Sequence, residues 1–165
     1  MGASLKLRKF RPGCLEEGFE AIVERFPASR GEVFEQEVAA GTLVHLGQQW
    51  GELQATLMGS DRGLSSIPSH VVLGGAILRD SEEQQMMILA LRPHEVSEVA
   101  SYLEGINSED IRSLVELNSE EIEEVLGEID DWEAFRTSVS RCIDELHDFY
   151  AGAAKDGAAV MKLVY

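Results

Sequence analysis

The stretch QMMILALRPHEVSEVASYLEG, Gln85 to Gly105, decides the fold. From Met86 to Leu91 it is apolar on both faces of an extended chain, as a strand in the centre of a covered sheet must be. Pro93 then fits the first position of a helix, where its missing N–H costs no hydrogen bond. Val96, Val99, Ala100 and Leu103 recur at three- and four-residue spacing, the inner stripe of an amphipathic helix, and Gly105 terminates it. A buried strand feeding an amphipathic helix is a unit of an α/β fold.

Three further segments supply strand candidates. SLKLRKF (Ser4 to Phe10) alternates Leu5 and Leu7 against Lys6, Arg8 and Phe10, which predicts a half-exposed first strand. VVLGGAIL (Val71 to Leu78) is apolar and interrupted by Gly74 and Gly75, which mark a bulge or a close backbone approach. AAVMKLVY (Ala158 to Tyr165) closes the chain as an apolar, partly β-branched strand. Apolar strands separated by helices predict a three-layer α/β/α sandwich, with a central mixed sheet of about four strands covered by helices, in a single domain over residues 1–165.

The helices follow from the 3.6-residue period. Leu15, Phe19, Ile22, Val23 and Phe26 form one stripe, ended by Pro27, and Val33, Phe34 and Val38 form a weaker one over Gly31 to Ala40. In HLGQQWGELQATLMGS (His45 to Ser60), Leu46, Trp50, Leu53 and Leu57 predict a third, followed by the loop GSDRGLSSIPS (Gly59 to Ser69). INSEDIRSLVE and LNSEEIEEVLG repeat at a period of 11 and predict two short helices, with Asn107–Asp110 and Asn118–Glu121 as capping arrangements. Asp131 caps the last helix, whose stripe of Trp132, Phe135, Val139, Cys142, Leu146 and Phe149 is the clearest in the chain.

Charge limits the function classes. With 30 acidic residues against 14 Lys and Arg, the formal net charge is −16, which argues against a nucleic-acid partner. Between Glu95 and Asp148 there are 17 acids and only Arg112, Arg136 and Arg141. Lys6, Arg8, Lys9 and Arg11 crowd the opposite end, so the chain is polarised. No apolar run approaches the length of a membrane span, and the basic start of the chain has no following apolar core, so neither a membrane partner nor a secretory leader is expected. Cys14 and Cys142 lie far apart without metal-ligand spacing and predict two reduced thiols in a cytosolic protein.

Taken together, LGQQWGELQATLMG, VVLGGAIL, ALRPHEVSEVASYL and DFYAGAAKDGAAVMKLV resemble the bacterial YfbM-like proteins, a domain family of unknown function. The resemblance covers residues 42–165 and finds no match between Leu15 and Gly41. It implies a compact α/β/α fold in a bacterial cytosol and no established reaction. Relatives commonly place an acid and a lysine just before the Trp and a His shortly after it. His45, Gln48 and Gln54 stand in those places here, so any catalytic use of that cluster would be damaged.

Catalytic signatures are missing. The Ser-rich loop runs Gly63-Leu64-Ser65-Ser66-Ile67, which breaks the nucleophile elbow GxSxG, and no phosphate-cradling glycine motif accompanies Gly74-Gly75. His45, His70, His94 and His147 lie in separate elements, and no cofactor or metal is expected. Two functional readings remain. The leading one is a non-enzymatic interaction module of the immunity- or inhibitor-protein kind. Its acidic helical face (Glu109, Asp110, Glu116, Glu120, Glu121, Glu124, Glu128) would dock on a basic protein. The alternative is a small-molecule-binding domain or unrecognised enzyme, its pocket formed by Trp50, His70, Gly74, Gly75 and the loop over residues 61–70. Trp50 itself is read as a core anchor able to form the floor of such a pocket.

Overall fold

A computed structural model describes residues 2–165, except for the side chains of Asp80 and Ser81. Its strands are β1 (Leu5–Phe10), β2 (Leu43–Gly47), β3 (Ala76–Ser81), β4 (Met86–Leu91) and β5 (Ala159–Val164). Its helices are α1 (Phe19–Glu24), α2 (Glu32–Ala39), α3 (Trp50–Met58), α4 (Ile67–Val71), α5 (Pro93–Glu104), α6 (Ser108–Leu117), α7 (Ser119–Leu126) and α8 (Trp132–Lys155). The fold is α/β, but its sheet has five strands in the order β2-β1-β5-β4-β3, with every neighbouring pair antiparallel. The expected mixed sheet of about four strands is corrected on both counts.

The extra strand is β2. The expected helix from His45 begins instead at Trp50, because Val44 and His45 pair with Leu7 and Lys6 of β1. That pairing makes β1 an interior strand rather than a half-exposed one, flanked by β2 and β5. The stretch from Cys14 to Phe26 is likewise divided, into a 3₁₀ turn over Pro12–Glu16 and the short α1.

Strand alternation sends side chains to two faces. On one face Leu5, Leu7, Val44, Leu46, Leu91 and Val160 form a core with side chains of α3 to α8. On the other Phe10, Leu43, Ile88, Ala90, Met161 and Leu163 meet Cys14, Phe19, Ile22 and Phe26. This second cover is thin. The inward stripe expected of α2 fails, since Val33 is 61% exposed and no residue of α2 is fully buried. Only Phe34 leans on the core, where its ring meets His45 edge-on at 5.6 Å. The long α8 keeps its predicted stripe, burying Phe135, Val139, Cys142, Leu146 and Phe149, and Asp131 caps it by accepting from the Ala134 N–H at 3.0 Å.

Candidate functional site

His70, Gly74 and Gly75 of the predicted pocket meet at one closely packed turn between α4 and β3. The loop before α4 ends in a capped turn: Ser66 Oγ accepts from the Ser69 N–H at 3.3 Å, and Ser69 Oγ donates to the Ser66 carbonyl at 2.6 Å. Both hydroxyls are thus engaged with backbone groups. Gly74 and Gly75 stand before β3 rather than inside a strand. A Cβ on Gly74 would sit 2.5 Å from the Ser69 carbonyl carbon, and one on Gly75 would sit 2.7 Å from the Ala90 oxygen. These are the close backbone approaches that the glycines foretell.

Beneath that turn lies Lys162, fully buried in the middle of β5. Its Nζ donates to the carbonyls of His70 and, at 2.7 Å, Gly74. Tyr150 of α8, also fully buried, shares its hydroxyl proton between the carbonyls of His70 at 3.1 Å and Val71 at 3.0 Å. Burial pushes the Lys162 amine well below its ordinary pKa, only partly opposed by Glu95, and raises the Tyr150 phenol. Burial, then Lys162, lowers His70, while Glu95, a backbone hydrogen bond to Leu64 and Glu98 pull the other way. His70 Nδ1 is buried without a hydrogen-bond partner among the described residues. The cluster is a clamp that ties α4 and its following turn to the sheet and to α8.

Trp50 opens α3 half-buried against the core, and its indole N–H donates to the Ala3 carbonyl at 2.8 Å. It anchors the segment leading into β1. None of the clefts described below is lined by Trp50, His70, Gly74 or Gly75.

The acidic set is distributed over α6, α7 and the turn after them. Glu109, Asp110, Glu116, Glu120, Glu124 and Glu128 are exposed and Glu121 is half-buried. Part of this acid serves local structure. Asn107 Oδ1 accepts from the Glu109 and Asp110 N–H groups at 2.9 Å, while Asp110 Oδ2 accepts from the Asn107 N–H at 2.9 Å, completing the predicted capping box. Asn118 does not cap α7. Its side-chain amide instead donates to the Thr56 carbonyl at 2.7 Å, joining α7 to α3. Among the described residues none of the seven acids forms an ion pair.

Apolar side chains stand among these acids. Leu117 is 76% exposed, Val125 53% and Leu126 39%. An open groove of about 570 Å³ runs between α5 and α6, lined by Tyr102, Ile106, Leu114 and Leu117 with Asp110 at its rim. Burial and then Asp110 raise the Tyr102 phenol, so its hydroxyl stays neutral there. The sequence indicated the acid and not the groove, because Leu117 occupies a position that the 11-residue repeat presents as core.

Among the described residues no helix is long and apolar enough to cross a membrane. The family model described as "Domain of unknown function (DUF1877)" matches residues 12–163. A solved structure of a protein of unknown function, YfbM from Escherichia coli, is similar in fold at a TM-score of 0.67 and 15% identity, with 98% of this chain and 99% of that chain covered. No curated protein matches the chain.

Proposed function

The chain belongs to the DUF1877 family, a domain of unknown function, and from that footing we propose that it is a protein-interaction module that docks a basic, amphipathic segment of another protein on α5, α6 and α7. The observation that carries this reading is the exposure of Leu117, Val125 and Leu126 amid carboxylates that form no ion pair among the described residues. An apolar centre with a polar rim is the anatomy of a docking surface. Surplus acid around it attracts a Lys- or Arg-rich partner and repels acidic ones.

Neither feature has a structural use large enough to explain it. Glu120 and Glu124 lie one helical turn apart, and like charges at that spacing destabilise a helix by about 0.2–0.5 kcal/mol. Leaving Leu117 in water forgoes roughly 1.5–3 kcal/mol of burial. The free thiols of Cys14 and Cys142, both buried, support a reducing cytosolic compartment for this activity.

The test is capture with the wild-type protein, Leu117→Ser and the double variant Glu120→Gln/Glu124→Gln, each at low and high salt. The reading expects one basic protein retained by the wild type at low salt, weakened by either variant and released as salt rises. Equal retention by all three proteins would remove it.

A further inference from the structure

A second cleft, on different residues, answers to the basic end of the chain. It is open, about 740 Å³ in volume, within the range that small-molecule sites occupy. Arg8, Lys9 and Arg11 from the end of β1 line it together with Arg25, so four of the chain's 14 basic residues converge on one cavity of a molecule carrying −16. Cations on an interior strand are costly to desolvate, and apolar residues at those positions would pack the sheet better.

The ion pairing within the cleft is incomplete. Arg8 is neutralised by Glu37 through two contacts of 2.7 and 3.0 Å, and Arg25 by Glu17 at 2.7 Å. Lys9 reaches Asp156 only at 3.8 Å, and Arg11 has no ion pair among the described residues. Two carboxylates face the same space: Glu17, which Arg25 holds, and Asp156, whose side chain is 64% exposed. The molecule's overall negative charge does not cancel this local surplus. Carboxylates beyond about 8–10 Å are largely screened at physiological salt, whereas an arginine in contact acts at full strength.

We propose that this cleft binds a small organic oxyanion, a carboxylate or a phosphate, that also carries a hydroxyl or amino group. Arg11 and Lys9 engage the oxyanion, and the exposed Asp156 carboxylate accepts a hydrogen bond from the neighbouring donor group. A guanidinium fork suits either oxyanion.

The experiment is calorimetric titration and thermal shift of the full chain with citrate, glucose 6-phosphate, inorganic phosphate, uncharged glucose and an oligo-glutamate peptide. Citrate or glucose 6-phosphate should bind and raise the melting temperature, and glucose should not. Arg11→Gln should weaken that binding about tenfold or more, while Arg112→Gln on α6 leaves it unchanged. Arg11 is exposed and forms no ion pair among the described residues, so its replacement does not threaten folding. Asp156→Asn reports the donor contact: it should weaken the two organic anions relative to inorganic phosphate. The proposal is overturned if neither organic anion binds, if Arg11→Gln binds as well as wild type, if inorganic phosphate binds as tightly as both, or if oligo-glutamate binds tighter than either.

Discussion

The Nζ of Lys162 lies 2.7 Å from the carbonyl oxygen of Gly74, so a residue on a central strand reaches past the sheet to fix the backbone turn before β3. Gly74 O has no other donor described, whereas the His70 carbonyl that shares Lys162 also receives the Tyr150 hydroxyl. The lysine is therefore most needed at Gly74.

Lys162→Met keeps the buried volume and removes the donor. One carbonyl is then left in a dry interior, at a cost of about 1–3 kcal/mol. Urea unfolding above pH 10.5, where the amine is neutral in both states, should show the midpoint falling with the slope unchanged. A midpoint equal to wild type would mean that the clamp contributes nothing.

The same lysine sets a pH dependence. Unfolded, it has an ordinary pKa of 10.5, and burial holds it well below that in the native protein. Between the two values the unfolded chain binds one proton more than the native one. Stability from this group is therefore fullest above 10.5 and is lost as pH falls toward the native pKa, at up to about 1.4 kcal/mol per pH unit. His70, lowered from 6.5, acts in the same sense as the solution is acidified below that value. Unfolding measured from neutral pH up to 10.5 should show wild type gaining on Lys162→Met as pH rises. Parallel curves would refute the assignment.

What the sequence discloses follows the strength of its periodicities. The β4–α5 passage and the stripe of α8 are legible because their apolar patterns are long and are satisfied by a single core. β2 is hidden because Leu46, Trp50, Leu53 and Leu57 also fit one helical stripe. Only pairing with β1, a long-range event, assigns Leu43 to Gly47 to the sheet. Val33 and Val38 show the converse: a genuine helical pattern that no neighbour covers.

The candidate sites divide in the same way. The acidic repeat is visible in composition, but the groove beside it depends on how α5 meets α6, which no local pattern encodes. Lys162 did leave a signal. A lone lysine inside AAVMKLVY, apolar on both sides, has no solvent face to reach and so must find buried acceptors. The Lys6–Arg11 cluster was equally visible, and its use emerges only when β1 proves to be interior and to end at a cleft.

Asn118 and Gly59 form a second junction, and it predicts a non-additive pair. The Asn118 amide donates to the Thr56 carbonyl at the end of α3, so Asn118→Ala should cost about 1 kcal/mol through one lost hydrogen bond. Gly59 ends the same helix at φ +55°, and a Cβ there would stand 2.5 Å from Asn118 Oδ1. Gly59→Ala therefore incurs backbone strain of about 1–3 kcal/mol and also displaces the asparagine. In the double variant the clash disappears, because the truncated Asn118 side chain no longer occupies the space, while the strain remains. Its destabilisation should be smaller than the sum of the single losses by about 0.5 kcal/mol or more, the range expected for residues in contact. Chemical unfolding of the four proteins measures that coupling, and strict additivity would show that α7 is not held to α3 through this contact.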